Sequence, residues 1–290
     1  MHKAGFVNII GKPNVGKSTL MNAMIGERLS ITTPKAQTTR HRIMGIANGE
    51  DYQVVFSDTP GIIKPKYKLQ EKMMNFVESS FYDADIMLYL TDVEEKFDNH
   101  ELIEKLNKIS VPLIVAINKI DISDQSKTLV LLAEWQKLLP KAEIFVISAL
   151  HKHNIDGLFK RLLELLPENP PYYSKEDLSD RNLRFFVSEI IREQILKNYS
   201  KEIPYSVEVA IESYKEAKDC DRIAAVIYVE RDSQKGIIIG AKGESLKRVG
   251  VQSRIQIEKL IGKKVFLEIF VKVKKDWRSD DSILKSFGYQ

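Results

Sequence analysis

Apolar positions in the first 166 residues fall in short β-branched runs separated by stretches with helical spacing. Phe6–Ile10, Tyr52–Ser57, Ile86–Leu90, Leu113–Asn118 and Ile144–Ser148 read as strands, with amphipathic helices between several of them. Such alternation predicts an α/β fold, a mostly parallel sheet with helices on both faces, whose ligands bind at the carboxyl ends of the strands. The stretch LPENPPYY (166–173) then breaks the pattern, because its three prolines remove backbone donors and stop any helix. Beyond it the order changes. A helix over about 183–198, strands over about 205–214 and 223–230, a helical region around 236–260 and a strand over about 264–274 give α-β-β-α-α-β. The chain therefore divides into residues 1–168, a linker over 169–182, and a smaller α+β domain over 183–290.

Composition narrows the class. At 290 residues, 43% apolar and 29% charged, there is chain enough for two cores and little that resembles disorder. Cys220 is the only cysteine, which excludes an internal disulfide and a cysteine-cluster metal site, and its place suggests a buried strand residue. No apolar run approaches the ~18–20 residues of a membrane helix, and the one at the N-terminus is too short for a signal peptide, so a cytoplasmic protein is expected. The net charge of +4 is mild, but basic residues outnumber Glu244, Glu258 and Glu268 between Lys235 and Lys275. That concentration gives the second domain the basic surface. The five histidines show no metal-ligand spacing and read as surface or loop residues.

Candidate chemistry begins at Gly11-Lys12-Pro13-Asn14-Val15-Gly16-Lys17-Ser18, which matches G-x-x-x-x-G-K-[ST] between a strand and the helical pattern Thr19–Ile25. In that context the backbone N–H groups wrap phosphate oxygens, Lys17 reaches the β and γ phosphates, and Ser18 takes Mg²⁺. Asn118-Lys119-Ile120-Asp121 closes a later strand. The Asp121 carboxylate can accept the two N–H groups of guanine, which adenine lacks, so the expected ligands are GTP and GDP. Lys119 would lie along the base plane and Asn118 would tie this loop to the phosphate loop. Ser148-Ala149-Leu150 ends the last strand and can bring the Ala149 N–H to guanine O6. Asp58, in SDTPGII (57–63), holds Mg²⁺ through water, and Gly61 can approach the γ-phosphate. Thr38 and Thr39 both lie in a polar loop. Thr39 is the preferred hydroxyl for the Mg²⁺ shell, the alternative being a solvated loop that touches no metal. The catalytic set is then Lys17, Thr39, Asp58 and Gly61. Isoleucine at 62 cannot order a water, so backbone groups, another side chain or a partner must do so and intrinsic turnover should be slow; Arg40 and Arg42 are close enough in sequence to be considered.

The order of these motifs, with PNVGKS followed by TTR and DTPG, resembles the Era branch of translation-linked GTPases. Members of that branch carry an apolar residue where Ile62 stands. The resemblance also makes Asn14 a candidate K⁺ ligand beside the β and γ phosphates; alternatively Asn14 only stabilises the loop through side-chain to backbone bonds.

In the second domain Gly240-Ala241-Lys242-Gly243 forms G-x-x-G between two helical patterns, in the element order of a type II KH fold. Such a turn clamps a nucleic-acid backbone. The expected RNA-binding set is Lys235, Gly236, Ile239, Gly240, Ala241, Lys242, Gly243, Lys247 and Arg248, with Leu246, Val249, Ile255, Ile257 and Leu260 as core positions of the following helix. Trp277 either stacks on RNA or packs inside, beside a solvated Arg278. The stretches YVERDSQKGIIIGAKGESLKRVG and FVKVKKDWRSDDSILKSFGY are similar to the KH domain of the same family. By that resemblance the domain binds the 3′ end of small-subunit (16S) ribosomal RNA, GTP controls access to it, and the chain assists assembly of the 30S subunit. A monomer without an obligate protein partner is expected. Two rival readings remain: a GTPase whose basic segment lies on the anionic cytoplasmic face of the inner membrane, and a KH-like module that docks protein rather than RNA.

Overall fold

In Lys3–Ile10 (β1) every residue from Val7 onward is buried, as a strand covered on both faces requires. A computed structural model describes residues 1–95, 97 and 99–289 and places β1 inside a six-stranded sheet. The other strands are Ile43–Asn48 (β2), Tyr52–Asp58 (β3), Ile86–Asp92 (β4), Leu113–Asn118 (β5) and Glu143–Val146 (β6), in the order β2-β3-β1-β4-β5-β6. All pairings are parallel except β2 with β3. The helices are Lys17–Ile25 (α1), Lys68–Ser79 (α2), His100–Lys108 (α3), Gln125–Leu138 (α4) and Ile155–Leu165 (α5). On one face of the sheet, Met87, Tyr89, Val115 and Ile117 share a core with Val77, Leu102, Leu106, Leu131 and Trp135 of α2, α3 and α4. On the other, Phe159 of α5 meets Tyr52 and Phe56.

The chain forms two compact units: Met1–Ser30, Thr39–Lys64 and Met73–Asp180 in the first; Ile31–Thr38, Pro65–Lys72 and the residues from Arg181 onward in the second. The sequence pattern does not predict β2, because Gly45 interrupts its β-branched run. The span expected to be a linker is ordered against the first unit over most of its length. Gln53 Oε1 accepts from the N–H groups of Tyr172 (2.7 Å) and Tyr173 (3.0 Å), and the Leu178 carbonyl accepts from the Ile46 N–H (2.9 Å). This covers the exposed edge of β2, where unpaired backbone groups would otherwise face solvent.

In the second unit Leu183–Asn198 (α6) is followed by Glu208–Lys215 (β7), Cys220–Val229 (β8), Asp232–Ile239 (α7), Glu244–Ile261 (α8) and Lys264–Val273 (β9). The α-β-β-α-α-β order is the one the sequence implies. The sheet runs β7-β8-β9, antiparallel then parallel. Val187, Ile191 and Ile195 of α6, Val249 and Ile257 of α8, and Ile223, Ala225 and Ile227 of β8 share one core. Ile255 and Leu260, expected in that core, are 43% and 42% exposed. The buried stripe of α8 follows Val249, Ser253 and Ile257 at a spacing of four, which turns Ile255 and Leu260 toward water.

Further departures concern single residues. Trp277 is fully buried, donates Nε1–H to the Ser206 carbonyl at 3.2 Å and packs edge-on against Phe287, so it cannot stack on RNA. Arg278 beside it is not solvated but paired with Glu230. Cys220 is only half-buried, at the start of β8, and His41 is buried rather than at the surface. A short helix absent from the sequence expectation, Asp281–Ser286 (α9), starts where Asp280 Oδ1 accepts from the Ile283 N–H.

Candidate nucleotide site and nucleic-acid turn

The loop from β1 to α1 holds Gly11, Lys12, Pro13, Asn14, Val15 and Gly16, with Lys17, Ser18 and Thr19 in the first turn of the helix. Gly16 sits at φ 102°, and a Cβ there would lie 2.3 Å from Asn118 Nδ2, so the turn needs glycine. Lys17 is buried and its Nζ donates to the carbonyls of Gly11 (3.0 Å) and Lys12 (2.8 Å). Burial lowers its pKa to about 8, opposed by the charges of Asp58 and Glu95. An incoming polyphosphate would restore the full positive charge.

Three oxygens from separate segments meet beside it. Ser18 Oγ donates to Asp58 Oδ2 at 2.6 Å, Thr39 Oγ1 lies 2.9 Å from Ser18 Oγ, and Thr39 Oγ1 donates to Asp58 Oδ2 at 3.3 Å. Thr38 turns elsewhere, its hydroxyl donating to the Lys35 carbonyl at 2.6 Å. The structure thus separates the two threonines that the sequence leaves adjacent. Burial raises the pKa of Asp58 against the hydrogen bond from Ser18 and the charge of Lys17. Its Oδ1 is buried with no hydrogen-bond partner among the described residues. A hard cation is the group that such a hydroxyl-and-carboxylate set suits, and these residues fit Mg²⁺.

Gly61 lies against the phosphate loop so closely that a Cβ would stand 2.6 Å from Pro13 N. The Ile62 N–H donates to the Gly11 carbonyl at 3.0 Å, while its side chain packs on the core around Tyr89 and Trp135. Position 62 is thus partly buried against that core. Ile62→Gln should leave the rate of GTP turnover within about threefold of the unchanged protein and lower stability by about 1–3 kcal/mol, the cost of an amide forced against apolar neighbours. Single-turnover kinetics and thermal melts would check both. Arg40 and Arg42 are no arginine finger. Both are buried, and Arg42 is held by Asp83 (2.7 and 2.8 Å), Ser57 and Asn8.

At the far end of the site Asn118 joins three motifs: its Nδ2 donates to the Val15 carbonyl (2.8 Å) and its Oδ1 accepts from the Ala149 N–H (2.9 Å). The Ala149 N–H, expected on guanine O6, is thus already engaged and can reach a base only by sharing. Lys119 is in the left-handed region (φ 64°) and its Nζ is 2.6 Å from Asp92 Oδ2. Asp121 accepts from the Ser148 hydroxyl at 2.5 Å, which holds its carboxyl below the usual range, while the rest of the side chain faces solvent. Leu150 is exposed beside it. Asp92 and Glu95 are the polar neighbours that sequence reading misses; no spacing connects them to the motifs they contact.

In the second unit α7 ends at Ile239 and the turn follows with positive φ at Gly240 (72°), Lys242 (51°) and Gly243 (79°). Ala241, Lys242, Lys247 and Arg248 are exposed, as is Gly236 on α7; Lys235 is half-buried, and Ile239 packs on the core. Beside the turn lies an open groove of 390 Å³ lined by Gly243 of the turn, by Leu246, Lys247, Gly250, Val251 and Arg254 of α8 and by Leu267 and Ile269 of β9. Gly250, Val251, Arg254 and the two β9 residues are absent from the sequence expectation. The signal for the three helical residues was present, since Lys247, Gly250, Val251 and Arg254 share one helix face.

Fold and sites together define a P-loop GTPase domain joined to a KH domain. The chain matches the family of 50S ribosome-binding GTPases over residues 6–119 and the KH domain family over residues 202–278. It is 45% identical over 293 residues to GTPase Era of Clostridium kluyveri, covering 100% of both chains, and 44% identical to GTPase Era of Staphylococcus haemolyticus, covering 99% of this chain and 97% of the other. Among solved structures it resembles Era in complex with MgGDPNP and nucleotides 1506–1542 of 16S ribosomal RNA, with 39% identity, a TM-score of 0.95, and coverage of 100% of this chain and 99% of the other. A variant of Aquifex aeolicus Era bound to GDP and AlF4⁻ gives the same identity and TM-score, with 99% of each chain covered. The chain belongs to the Era family of GTPases.

Proposed function

We propose that this chain is a GTP-driven switch that binds the 3′-end region of 16S ribosomal RNA and assists assembly and maturation of the small ribosomal subunit. The carrying observation is that a complete nucleotide site and an exposed G-x-x-G turn stand on one chain whose full length follows an Era solved with both MgGDPNP and that RNA. Lys17 neutralises the β and γ phosphates, and Asp121 selects guanine. Ser18, Thr39 and Asp58 are the residues that would hold Mg²⁺, which offsets charge on the transferring phosphoryl group. Because the Ile62 side chain has no hydrogen-bonding group and packs partly buried on the core, the attacking water is ordered by backbone groups near Thr39 and Gly61, and intrinsic hydrolysis is slow. Lys235, Gly236, Ile239, Gly240, Ala241, Lys242, Gly243, Lys247 and Arg248 form the RNA-binding surface.

Asn14, exposed on the phosphate loop at φ 66°, is the candidate K⁺ ligand. Turnover should then rise several-fold when K⁺ replaces Na⁺ at one ionic strength; equal rates would leave Asn14 a loop-stabilising residue. We place the protein in the cytoplasm as a monomer without an obligate protein partner, touching the inner membrane only peripherally. No helix among the described residues is long and apolar enough to cross a membrane.

The test is binding of an oligonucleotide matching the 3′ end of 16S ribosomal RNA, beside a scrambled one, with a non-hydrolysable GTP analogue or GDP at fixed salt. Tight, sequence-selective binding with the analogue alone supports the switch. Equal weak binding throughout would reduce it to charge attraction, and sedimentation with anionic phospholipid vesicles would then decide for the membrane reading.

A further inference from the structure

Alternate residues of β9 face opposite ways, as a strand's period of two requires. Val265 and Val271 are buried, and Leu267, Ile269 and Val273 pack on the same core. Lys264, Phe266, Glu268, Phe270 and Lys272 form the other face and are exposed. Two of these are rings: Phe266 is 52% and Phe270 49% exposed. Aromatic side chains left open on an edge strand are a liability that proteins normally cover or replace by charge. The chain covers one end of this face itself, where Phe287 packs on Tyr228 of β8. Phe266 and Phe270 stay open.

What surrounds Phe266 is polar and mostly basic. Arg222 of β8 is its direct partner in the strand register, and the guanidinium lies 6.0 Å from the ring centroid. The pair borders a hollow of 440 Å³ completed by Ala217, Lys218, Asp219 and Cys220. Lys264 is exposed two residues before Phe266, and Lys272, two beyond Phe270, is paired with Glu212 at 2.6 Å. Asp219 and Glu268 are the acidic residues on this side. A ring flanked by arginine and lysine suits a flat group carried on a polyanion. Single-stranded RNA offers both, a base to stack and phosphates to neutralise.

The same strand borders the groove of the G-x-x-G turn. β9 is paired with β8 alone, and its Leu267 and Ile269 line that groove from the inner face. Groove and hollow therefore lie on the two faces of one edge strand. An RNA strand that fills the groove has only the edge of β9 to pass before it meets Phe270 and Phe266, about 13 Å apart at the ordinary rise of a strand.

We propose that the outer face of β9 is a second RNA-contact surface, on which unpaired bases beyond those held in the groove stack on Phe270 and on Phe266 beside Arg222. This assignment rests on the reading of the groove as an RNA site. Every base presents a face to a ring, so the surface adds affinity for any unpaired flank and leaves sequence selection to the groove.

The test uses the full chain, the 3′-end oligonucleotide, and the same oligonucleotide extended by a run of adenosines at one end or the other. Affinities are measured by fluorescence anisotropy at one fixed salt concentration, with thermal melts as the control on folding. Extension at one end should strengthen binding to the unchanged protein by at least about fivefold, the lower end of what one stacked base contributes. Phe266→Leu with Phe270→Leu keeps the face apolar but removes the rings. That variant should lose the gain and bind the short oligonucleotide as before, whereas Phe266→Trp with Phe270→Trp should keep the gain. The extended oligonucleotide should also slow alkylation of Cys220, the chain's only cysteine and part of the hollow, and the short one should not. A gain that survives in the leucine variant is charge attraction alone and overturns the proposal, as does the absence of any gain. Vesicle binding that the leucine variant loses, with no gain from RNA extension, would assign the face to an anionic membrane instead. Gly243→Asp is measured in parallel with the short oligonucleotide. If it binds as the unchanged protein does, the groove reading has failed and the second surface loses its ground with it.

Discussion

Asp121→Asn should weaken GDP binding by about 10³-fold and give the protein measurable affinity for xanthosine diphosphate. The carboxylate offers two acceptors to the two N–H groups on one edge of guanine, and hydrogen bonds to a charged group contribute about 1.5–3 kcal/mol each. Asparagine keeps one acceptor and sets its own N–H₂ against the exocyclic amine of the base, so one bond is lost and a donor faces a donor. Xanthine carries an oxygen at that position and accepts what guanine repels. The hydroxyl of Ser148, 2.5 Å from Asp121, can turn to serve either side chain, so the loop should stand unchanged. Equilibrium titration with fluorescent GDP and XDP reads the result. Unchanged GDP affinity would show that guanine is recognised elsewhere, for example through backbone near Ala149.

The second large effect is on RNA. Gly243→Asp should lower affinity for the 3′-end oligonucleotide by at least about tenfold, while turnover of GTP without RNA stays as it is. Gly243 is the better of the two glycines to replace. A Cβ there meets nothing within 4 Å, whereas one at Gly240 would stand 2.3 Å from Ser245 Oγ. The backbone at φ 79° is costly for most side chains, by about 1–2 kcal/mol, but Asp and Asn tolerate this region better than other residues do. Gly243→Asn is therefore the control, with the same shape and no charge. Loss of binding in the aspartate variant alone assigns the effect to repulsion of the phosphate backbone. Full binding in both would mean that the turn joins two helices and does not clamp RNA, which favours the protein-docking reading. Equal loss in both would point to backbone strain, and the turn's geometry would then be the quantity under test.

The two glycine-rich turns differ in how much of their surroundings a sequence displays. The phosphate loop was legible because its chemistry is local: eight consecutive residues between a strand and a helix specify the backbone shape, and their meaning survives in any such context. The groove beside Gly243 was only half legible. Lys247, Gly250, Val251 and Arg254 share a helix face that periodicity can reveal, but Leu267 and Ile269 reach the same groove from a strand many residues later. Burial followed the same division. Val249 and Ile257 were expected inside and are, whereas Ile255 and Leu260 differ from them only in which side of α8 the sheet happens to cover. Apolarity marks a residue as able to be buried; the neighbour decides whether it is.

Several assignments that looked chemical were settled by packing. Arg42, a basic residue close to the switch threonines, is consumed by Asp83 and Asn8 on elements far along the chain. Trp277, beside a basic stretch, turned inward because the Ser206 carbonyl and the Phe287 ring gave its indole both a hydrogen-bond partner and an apolar face. The Ala149 N–H was claimed by Asn118 before any base arrived.

The sequence by itself determined that a GTPase-type and a KH-type domain follow one another, the mostly parallel α/β sheet, the α-β-β-α-α-β order of the second unit, and the motifs for phosphate, guanine and nucleic-acid backbone. These depend on residues close together in the chain, where period and spacing carry the information. Only the tertiary structure decided that the Thr38 hydroxyl turns to the Lys35 carbonyl while Thr39, the hydroxyl preferred from sequence, joins Ser18 and Asp58, and that the Ile62 side chain packs partly buried on the core. Those facts depend on segments that meet only when the sheets and helices close around them, and no local pattern gives the partners that each side chain then finds.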